Sequence, residues 1–121
     1  MAKILIVDDS AELLEVLSFL IHRHGDEAIT ISYAEYLLET VQKHKPDVII
    51  LDVMLRGIDG RELCREIKST KAIKDIPVIL MSASNTLLDG YEECNADAIL
   101  EKPFDLTIIY EKINAVLGKS G

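Results

Sequence analysis

Four apolar runs in this sequence each end on polar residues that are suited to phosphate chemistry. The runs are ILIV, VIIL, VILM and AIL, and they are followed by Asp8 and Asp9, by Asp52, by Ser82, and by Glu101 and Lys102. In an open parallel α/β sheet the carboxyl ends of the strands share one edge, and ligands bind in the crevice outside it. We therefore expect side chains from widely separated parts of the chain to meet in one site.

Three carboxylates in one small site repel each other. At a separation of about 4 Å and an effective dielectric constant near 20, each contact costs on the order of 4 kcal/mol. Mg²⁺, which prefers carboxylate oxygens, carbonyls and retained waters, is the natural counterion. A carboxylate beside that ion is suited to attack a phosphoryl group and form an aspartyl phosphate. Ser82 and Lys102 add a hydroxyl and an ammonium group for the other phosphoryl oxygens.

The elements that would position these residues are five strand–helix units. The predicted strands cover 3–7, 28–32, 47–51, 78–81 and 98–100, and the second has the alternating pattern of an edge strand. Such an order of elements predicts an α/β fold with a doubly wound, five-stranded parallel sheet and five helices. The flavodoxin-like strand order 2-1-3-4-5 is attractive because it places Asp8, Asp9 and Asp52 at the switch point of the sheet.

Polar residues predict where three of the helices begin. Ser10 and Asp105 are suited to cap the first and last helices. Ser32 and Glu35 have the spacing of a capping box for the second helix, in which Tyr36 is expected on the apolar face. A fourth helix is predicted around Leu87, Leu88 and Tyr91, and Gly90 within this segment disfavours a long helix.

Composition predicts one acidic domain. The 121 residues are 49% hydrophobic and lack Trp, so we expect a single domain, 1–121, with an aliphatic core and with 118–121 as a possible linker stub. The net charge of -8 argues against direct binding of nucleic acid by this domain. Six basic residues fall between 56 and 74, and the interspersed acidic residues favour a solvated helix face there.

The sequence shows no targeting or membrane segment and no metal site built from Cys or His. No apolar run approaches the roughly 18 residues of a membrane span, and the first residues lack the pattern of a signal peptide. We therefore expect a cytoplasmic protein with no membrane partner. Cys64 and Cys94 have no CxxC spacing, and they are interpreted, like the three His residues, as structural.

Four motifs together resemble the receiver domains of two-component response regulators. They are VDDS at 7–10, LDVMLRGIDG at 51–60, MSAS at 81–84 and EKPF at 101–104. The resemblance covers essentially the whole chain. It implies a phosphorylation-dependent signalling switch rather than an enzyme with a separate substrate, although such domains assist their own phosphorylation and dephosphorylation.

The resemblance also implies a role for each residue of the acidic site. Asp52 would accept the phosphoryl group from a sensor histidine kinase or a phosphotransfer protein. Asp9 and Asp52 would bind Mg²⁺ through their carboxylates and Met54 through its backbone carbonyl, with Asp8 acting largely through water.

Further roles follow from the same resemblance for the other two strand ends. Ser82 would be the switch hydroxyl that bonds a phosphoryl oxygen, and Lys102 would pair with the phosphate. The Lys102–Pro103 peptide is expected to be cis, as is usual in the family. Phosphorylation would change the surface that is offered to an output domain, another partner or a second copy of the chain.

Several positions depart from the family pattern. Ile99 stands where receivers usually have an aromatic switch residue, and Arg56 replaces a frequent proline. Only 20 positions separate Ser82 from Lys102, about two fewer than usual in the family, so we expect the fourth helix or its flanking loops to be shortened or irregular. Met54 offers no acidic or amide group to orient an attacking water, which suggests slow hydrolysis of the phosphoryl group.

Three other functions remain as alternatives. A Mg²⁺-dependent phosphohydrolase with an Asp nucleophile would need an Asp-x-Asp motif after the first strand, whereas Asp8 and Asp9 are adjacent. A nucleotide- or flavin-binding module is disfavoured because no GxGxxG or Walker motif is present. A receiver-like scaffold that is never phosphorylated is disfavoured because every pocket residue is retained.

Overall fold

The computed structural model describes residues 1–120, and its centre is a five-stranded parallel sheet. The strands are β1 (Lys3–Val7), β2 (Glu27–Ile31), β3 (Val48–Asp52), β4 (Val78–Ser82) and β5 (Ala98–Glu101). Their order is 2-1-3-4-5, and every neighbouring pair is parallel. The predicted flavodoxin-like sheet is therefore confirmed, with β2 and β5 at the two lateral edges.

Four helices connect the strands, and a fifth follows β5. They are α1 (Ala11–Arg23), α2 (Leu37–His44), α3 (Gly60–Ser69), α4 (Asn85–Leu88) and α5 (Leu106–Ser120). As the chain spacing predicted, the fourth helix is short: one turn of α-helix is followed by a separate 3₁₀ turn at Tyr91–Cys94. Within residues 1–120, no helix is long and apolar enough to cross a membrane.

Two aliphatic cores hold the helices to the two faces of the sheet. Alternate residues of β1 point to opposite faces, so that Leu5 and Val7 pack with α2 and α3, whereas Ile4 and Ile6 pack with α1 and α5. All residues of the central strands β3 and β4 are buried. Continuous apolar runs are typical of parallel strands that are covered on both faces.

Two of the three predicted helix caps are confirmed. The Ser10 hydroxyl accepts a hydrogen bond from the Leu13 amide at 3.2 Å, and Asp105 accepts one from the Ile108 amide at 3.0 Å. The capping box at Ser32 and Glu35 was wrong. A 3₁₀ turn at Ala34–Tyr36 precedes α2 instead, and neither turn nor helix has a side-chain cap.

The physical reason for that error is a contact from elsewhere in the chain. The Ser32 carbonyl accepts a hydrogen bond from the Arg56 side chain at 3.1 Å, whereas the carbonyl of a capping residue would accept the first bond of the helix. Tyr36, expected on the apolar face of α2, is instead the last residue of the 3₁₀ turn and is 52% exposed, while Leu37 and Val41 are fully buried.

A short antiparallel hairpin lies between β3 and α3. Met54–Leu55 pairs with Ile58–Asp59, and the two residues between these pairs are Arg56 and Gly57. Both have positive φ, 50° and 82°, which is the pattern of a type I′ turn. Asp59 then caps α3 by accepting a hydrogen bond from the Arg61 amide at 2.9 Å.

The amino edge of the sheet, where the strands begin, is fixed by three aspartates. Each carboxylate accepts a hydrogen bond from the amide of a residue at or just before the start of a strand: Asp26 from Ala2 at 2.7 Å, Asp47 from Lys3 at 2.7 Å and Asp97 from Val78 at 2.8 Å. The Tyr110 hydroxyl also donates to Asp26, at 2.7 Å, and the Lys68 ammonium to Asp97, at 2.9 Å. These contacts join residues from 19 to 84 positions apart.

The basic residues between 56 and 74 and the cysteines have structural surroundings. Arg61, Arg65 and Lys68 form ion pairs with Asp59, Glu62 and Asp97. Cys64 and Cys94 are free and buried, and burial raises the pKa of the Cys64 thiol to about 12. Such a thiol is protonated and inert at neutral pH, in agreement with a packing role.

Candidate functional site

The carboxyl edge of the sheet, where the strands end, brings the predicted site residues together. Asp52 and Ser82 are the last residues of β3 and β4, Asp8 directly follows β1, and Lys102 directly follows β5. Backbone hydrogen bonds continue the pairing of the strands up to these residues. The Val53 amide donates to the Met81 carbonyl at 3.0 Å, and the Lys102 amide donates to the Ser82 carbonyl at 2.9 Å. Adjacent strand ends therefore present their side chains at one edge.

Three carboxylates form the acidic part of the site. One carboxylate oxygen from each of Asp8, Asp9 and Asp52 lies within 4.8 Å of the others. Asp8 and Asp52 are buried, with 1% and 6% of their surfaces exposed, and Asp9 lies closer to solvent. Buried charges this close together need a positive partner.

Lys102 supplies part of that positive charge. Its ammonium group donates to Asp8 Oδ2 at 2.7 Å and to Asp52 Oδ2 at 3.3 Å. Burial alone would lower the pKa of Lys102, but the two carboxylates outweigh that effect and raise it, so the group stays charged. One ammonium group therefore forms ion pairs with two buried carboxylates, and the carboxylate of Asp9 lies beside them.

The excess of negative charge in the site changes the pKa of Asp52. Burial, followed by the charge of Asp8, raises the pKa of Asp52 to about 6, although Lys102 and a hydrogen bond from the Met54 amide act in the opposite direction. A carboxylate with a raised pKa and spare lone pairs is suited to receive a cation. The donor set consists of hard oxygen ligands, which fits Mg²⁺.

Ser82 and Met54 occupy different environments near Asp52. Ser82 is buried, 3% exposed, and its hydroxyl oxygen accepts a hydrogen bond from the Ser84 amide at 3.0 Å. That contact leaves the hydroxyl proton available for another acceptor. Met54 turns its side chain outward, 54% exposed, while its amide contacts Asp52 at 3.2 Å.

Gly60 is a residue of the site that the sequence did not single out. A Cβ at this position would lie 2.1 Å from the Asp52 carbonyl oxygen, and the Gly60 amide donates to the Val53 carbonyl at 2.6 Å. Only glycine allows α3 to begin this close to the backbone of Asp52. The available signal was a glycine, a poor helix former, directly after the capping Asp59.

Two departures from the expected motif also have defined positions. Ile99, in place of the aromatic residue, is partly buried and packs on the core between the sheet and α2 and α3. The Arg56 amide donates to Asp9 Oδ2 at 3.2 Å, and its side chain turns away toward Ser32 and Tyr33. The Lys102–Pro103 peptide is cis, as expected.

This arrangement of fold and acidic edge agrees with a family comparison. The family model of the response regulator receiver domain matches residues 4–114. The chain belongs to the response regulator receiver domain family. Receiver domains are signalling domains of two-component systems, and the acidic cluster of this one is compatible with Mg²⁺.

Curated relatives of this receiver domain are regulators of about twice its length. The alkaline phosphatase synthesis transcriptional regulatory protein PhoP of Bacillus subtilis is 33% identical over 98% of this chain and 49% of its own. The heme response regulator HssR of Staphylococcus saprophyticus is 37% identical over 97% of this chain and 52% of its own. The chain therefore spans about half the length of the curated relatives that it matches.

Solved structures support the same fold. A putative response regulator from Chloroflexus aurantiacus superimposes with a TM-score of 0.88 at 28% identity, covering 97% of this chain and 98% of its own. A sensor protein from Polaromonas sp. gives a TM-score of 0.89 at 20% identity, covering 99% of this chain and 98% of its own, which shows the fold alone. Both structures therefore share the receiver fold with this chain.

Proposed function

We propose that this receiver domain is a phosphoacceptor switch in which Asp52 accepts a phosphoryl group from a histidine kinase or a phosphotransfer protein. The observation that supports this proposal most directly is the set of charged groups around the Asp52 side chain. A buried carboxylate with a raised pKa shares one small site with two more carboxylates and an ammonium group. Such perturbed groups concentrate at functional sites.

In the proposed transfer, an oxygen of the Asp52 carboxylate forms a bond to phosphorus as the bond from phosphorus to the histidine nitrogen breaks. The imidazole leaves with the electrons of that bond, and the product on this chain is an acyl phosphate. A carboxylate nucleophile of this kind must be ionised, and at neutral pH a group with a pKa of about 6 is largely so.

A magnesium ion is part of the proposal. Asp9, Asp52 and the Met54 backbone carbonyl would hold it directly, and Asp8 through water. When bound, Mg²⁺ screens the negative charge of the carboxylates and of the phosphoryl oxygens. The Lys102 ammonium group forms ion pairs with Asp8 and Asp52, and from this position it would also pair with a phosphoryl oxygen.

The switch itself is proposed for Ser82 and Lys102. The Ser82 hydroxyl, already oriented by the Ser84 amide, would donate to a phosphoryl oxygen, and Lys102 would exchange part of its carboxylate contacts for the phosphate. These two residues lead into α4 and α5, so their movement would change the surface formed by α4, β5 and α5. With Met54 turned to solvent and lacking a polar group, hydrolysis of the acyl phosphate would be slow.

The changed surface would act on an output partner. The relatives are longer and include transcriptional regulators by name, so an output domain, a separate partner protein or a second copy of this chain are the candidates. Direct contact with nucleic acid is not proposed for the receiver domain itself, because its net charge is -8.

The decisive experiment is phosphorylation by a small donor. Incubation with Mg²⁺ and acetyl phosphate should give one phosphoryl adduct, stable in mild acid and labile in base, detected as one added phosphate by intact-mass spectrometry. Asp52→Asn should abolish it, and chelation of Mg²⁺ should suppress it. Asp75→Asn, which removes an exposed carboxylate outside the site, should leave labelling unchanged. Labelling of another aspartate in the wild type, or turnover of many phosphomonoesters, would contradict the proposal.

A further inference from the structure

Arg56 stands in a backbone conformation that its residue type disfavours. Its φ is 50°, in the left-handed region that glycine and asparagine occupy more readily. Residues with a Cβ persist there only where surrounding contacts compensate. The contacts of Arg56 should therefore explain why this turn is stable.

The side chain of Arg56 makes two contacts with the segment that follows β2. Its guanidinium carbon lies 4.3 Å from the centre of the Tyr33 ring, which is a cation–π contact. Its Nε donates to the Ser32 carbonyl at 3.1 Å. The planar guanidinium group makes both contacts at once, which a lysine ammonium cannot do with the same geometry.

The backbone of the same residue contacts the acidic site. The Arg56 amide donates to Asp9 Oδ2 at 3.2 Å, across 47 positions of sequence. Asp9 is the most exposed of the three clustered carboxylates, so fewer neighbours restrict it. A carboxylate that accepts one hydrogen bond keeps further lone pairs for a cation.

We propose that Arg56 is a positioning residue for Asp9. Tyr33 and Ser32 hold the guanidinium group, the guanidinium group holds the left-handed turn, and the turn aims its amide at the Asp9 carboxylate. This inference rests on the proposed function, because it assumes that Asp9 binds Mg²⁺. It assigns to Tyr33, an exposed residue outside the site, an indirect effect on the affinity for the ion.

Charge and positioning predict opposite results when Arg56 is removed. If the guanidinium group acted only as a positive charge near an acidic site, Arg56→Ala would strengthen Mg²⁺ binding and Arg56→Lys would leave it unchanged. If Arg56 positions Asp9, both variants weaken binding. We expect Arg56→Ala to weaken it about three- to tenfold, the scale of one exposed cation–π contact and one hydrogen bond.

The test is calorimetric titration of the protein with MgCl₂ alone, without a phosphodonor. Tyr33→Ala should weaken binding as Arg56→Ala does, whereas Tyr33→Phe should keep the wild-type affinity because it retains the ring. Arg23→Ala is the matched charge control, since Arg23 also stacks on an exposed aromatic ring, Phe19, but on α1. With acetyl phosphate, Arg56→Ala should need more Mg²⁺ for half-maximal labelling and reach the wild-type rate at saturation.

The outcomes separate the two proposals. If the wild type binds Mg²⁺ and Arg56→Ala binds it equally or more tightly, the positioning role is overturned and the proposed function is untouched. The same conclusion holds if Tyr33→Phe loses as much affinity as Tyr33→Ala. If the wild type itself does not bind Mg²⁺, the proposed function fails, and the role of Arg56 fails with it.

Discussion

The two edges of the sheet use the same residue type for different purposes. At the amino edge, Asp26, Asp47 and Asp97 accept hydrogen bonds from backbone amides at the starts of strands. At the carboxyl edge, Asp8, Asp9 and Asp52 also accept amide hydrogen bonds, but from residues in the loops that follow the strands, Ser10, Arg56 and Met54. Hydrogen bonding alone therefore does not distinguish the edges.

The difference between the edges is whether the charges share a site. Within residues 1–120, the group at positions 8, 9 and 52 is the one place where three potential metal-binding side chains converge. The pKa values show the consequence: burial raises the pKa of Asp26, but hydrogen bonds from Ala2 and Tyr110 outweigh it and the net shift is downward. For Asp52 the net shift is upward. Ionised Asp26 therefore adds stability at the amino edge, whereas ionised Asp52 costs stability at the carboxyl edge.

The largest effect is expected from Gly60→Ala at the carboxyl edge. The added methyl group would lie 2.1 Å from the Asp52 carbonyl oxygen, so the start of α3 must move. We expect a loss of about 3 kcal/mol in the free energy of unfolding, measured by urea denaturation. Gly118→Ala, where a Cβ meets nothing within 4 Å, is the control and should be neutral or slightly stabilising. Equal stability of Gly60→Ala and the wild type would contradict the close approach.

The difference between the two edges is tested most directly by the stability of Asp52→Asn in the absence of Mg²⁺. Because the folded-state pKa is about 6 against an ordinary value of 3.8, the folded protein holds this proton more tightly than the unfolded chain. Wild-type stability therefore falls as the pH rises through this interval. The variant, which has no charge to bury, should be more stable by about 2 kcal/mol at pH 7.5.

Two measurements check this expectation. Thermal or urea unfolding of the two proteins should converge below about pH 3, where the carboxyl group is protonated in both states, and added Mg²⁺ should stabilise the wild type more than Asp52→Asn. Asp75→Asn, which removes an exposed carboxylate outside the site, should not reproduce the gain in stability at pH 7.5. A variant that is less stable than the wild type at pH 7.5 would show that the carboxylates at position 52 and at the amino edge act alike.

The same substitution at the amino edge should have the opposite sign. Asp26→Asn weakens the hydrogen bonds from the Ala2 amide and the Tyr110 hydroxyl, so we expect a loss of about 1 kcal/mol at pH 7. Because the pKa of Asp26 is lowered in the folded state, its contribution is present above the unfolded-state pKa and is lost as the pH falls. Tyr110→Phe combined with Asp26→Asn should cost less than the sum of the two single changes. Additive losses would argue against the shared bond.

The smallest effect is expected from Asp47→Ala. Its carboxylate accepts one hydrogen bond, from the Lys3 amide at 2.7 Å, in an exposed position. Water can replace this acceptor, so we expect a loss of about 0.5 kcal/mol, measured by urea denaturation. Unchanged labelling of Asp52 by acetyl phosphate would confirm that the amino edge serves stability alone, whereas reduced labelling would show that the two edges are coupled.

Strand ends were predictable because they depend on local pattern. Each apolar run ends at a polar residue, and the parallel sheet converts that feature into proximity, so the meeting of Asp8, Asp52 and Lys102 follows from short segments of sequence. The shortened α4 was predictable from a count of residues. The caps at Ser10 and Asp105 were predictable because the donor lies three residues from the acceptor.

Features that depend on distant contacts were not predictable from the sequence. The capping box at Ser32 failed because Arg56, 24 positions away, binds the Ser32 carbonyl. The need for Gly60 depends on how closely α3 approaches β3, which no local pattern records. The bonds of Asp26 and Asp97 likewise join segments whose proximity exists only after the sheet has formed.

The single turn of α4 has a consequence for how readily the domain can change shape. A helix of four residues has few internal hydrogen bonds to lose, so the stretch after Ser82 is among the least expensive parts of the molecule to rearrange. β4, which leads into it, is buried along its whole length and resists movement. In the proposed switch, a rigid strand that ends in a single helical turn would let a small displacement at the pocket produce a larger one at the surface.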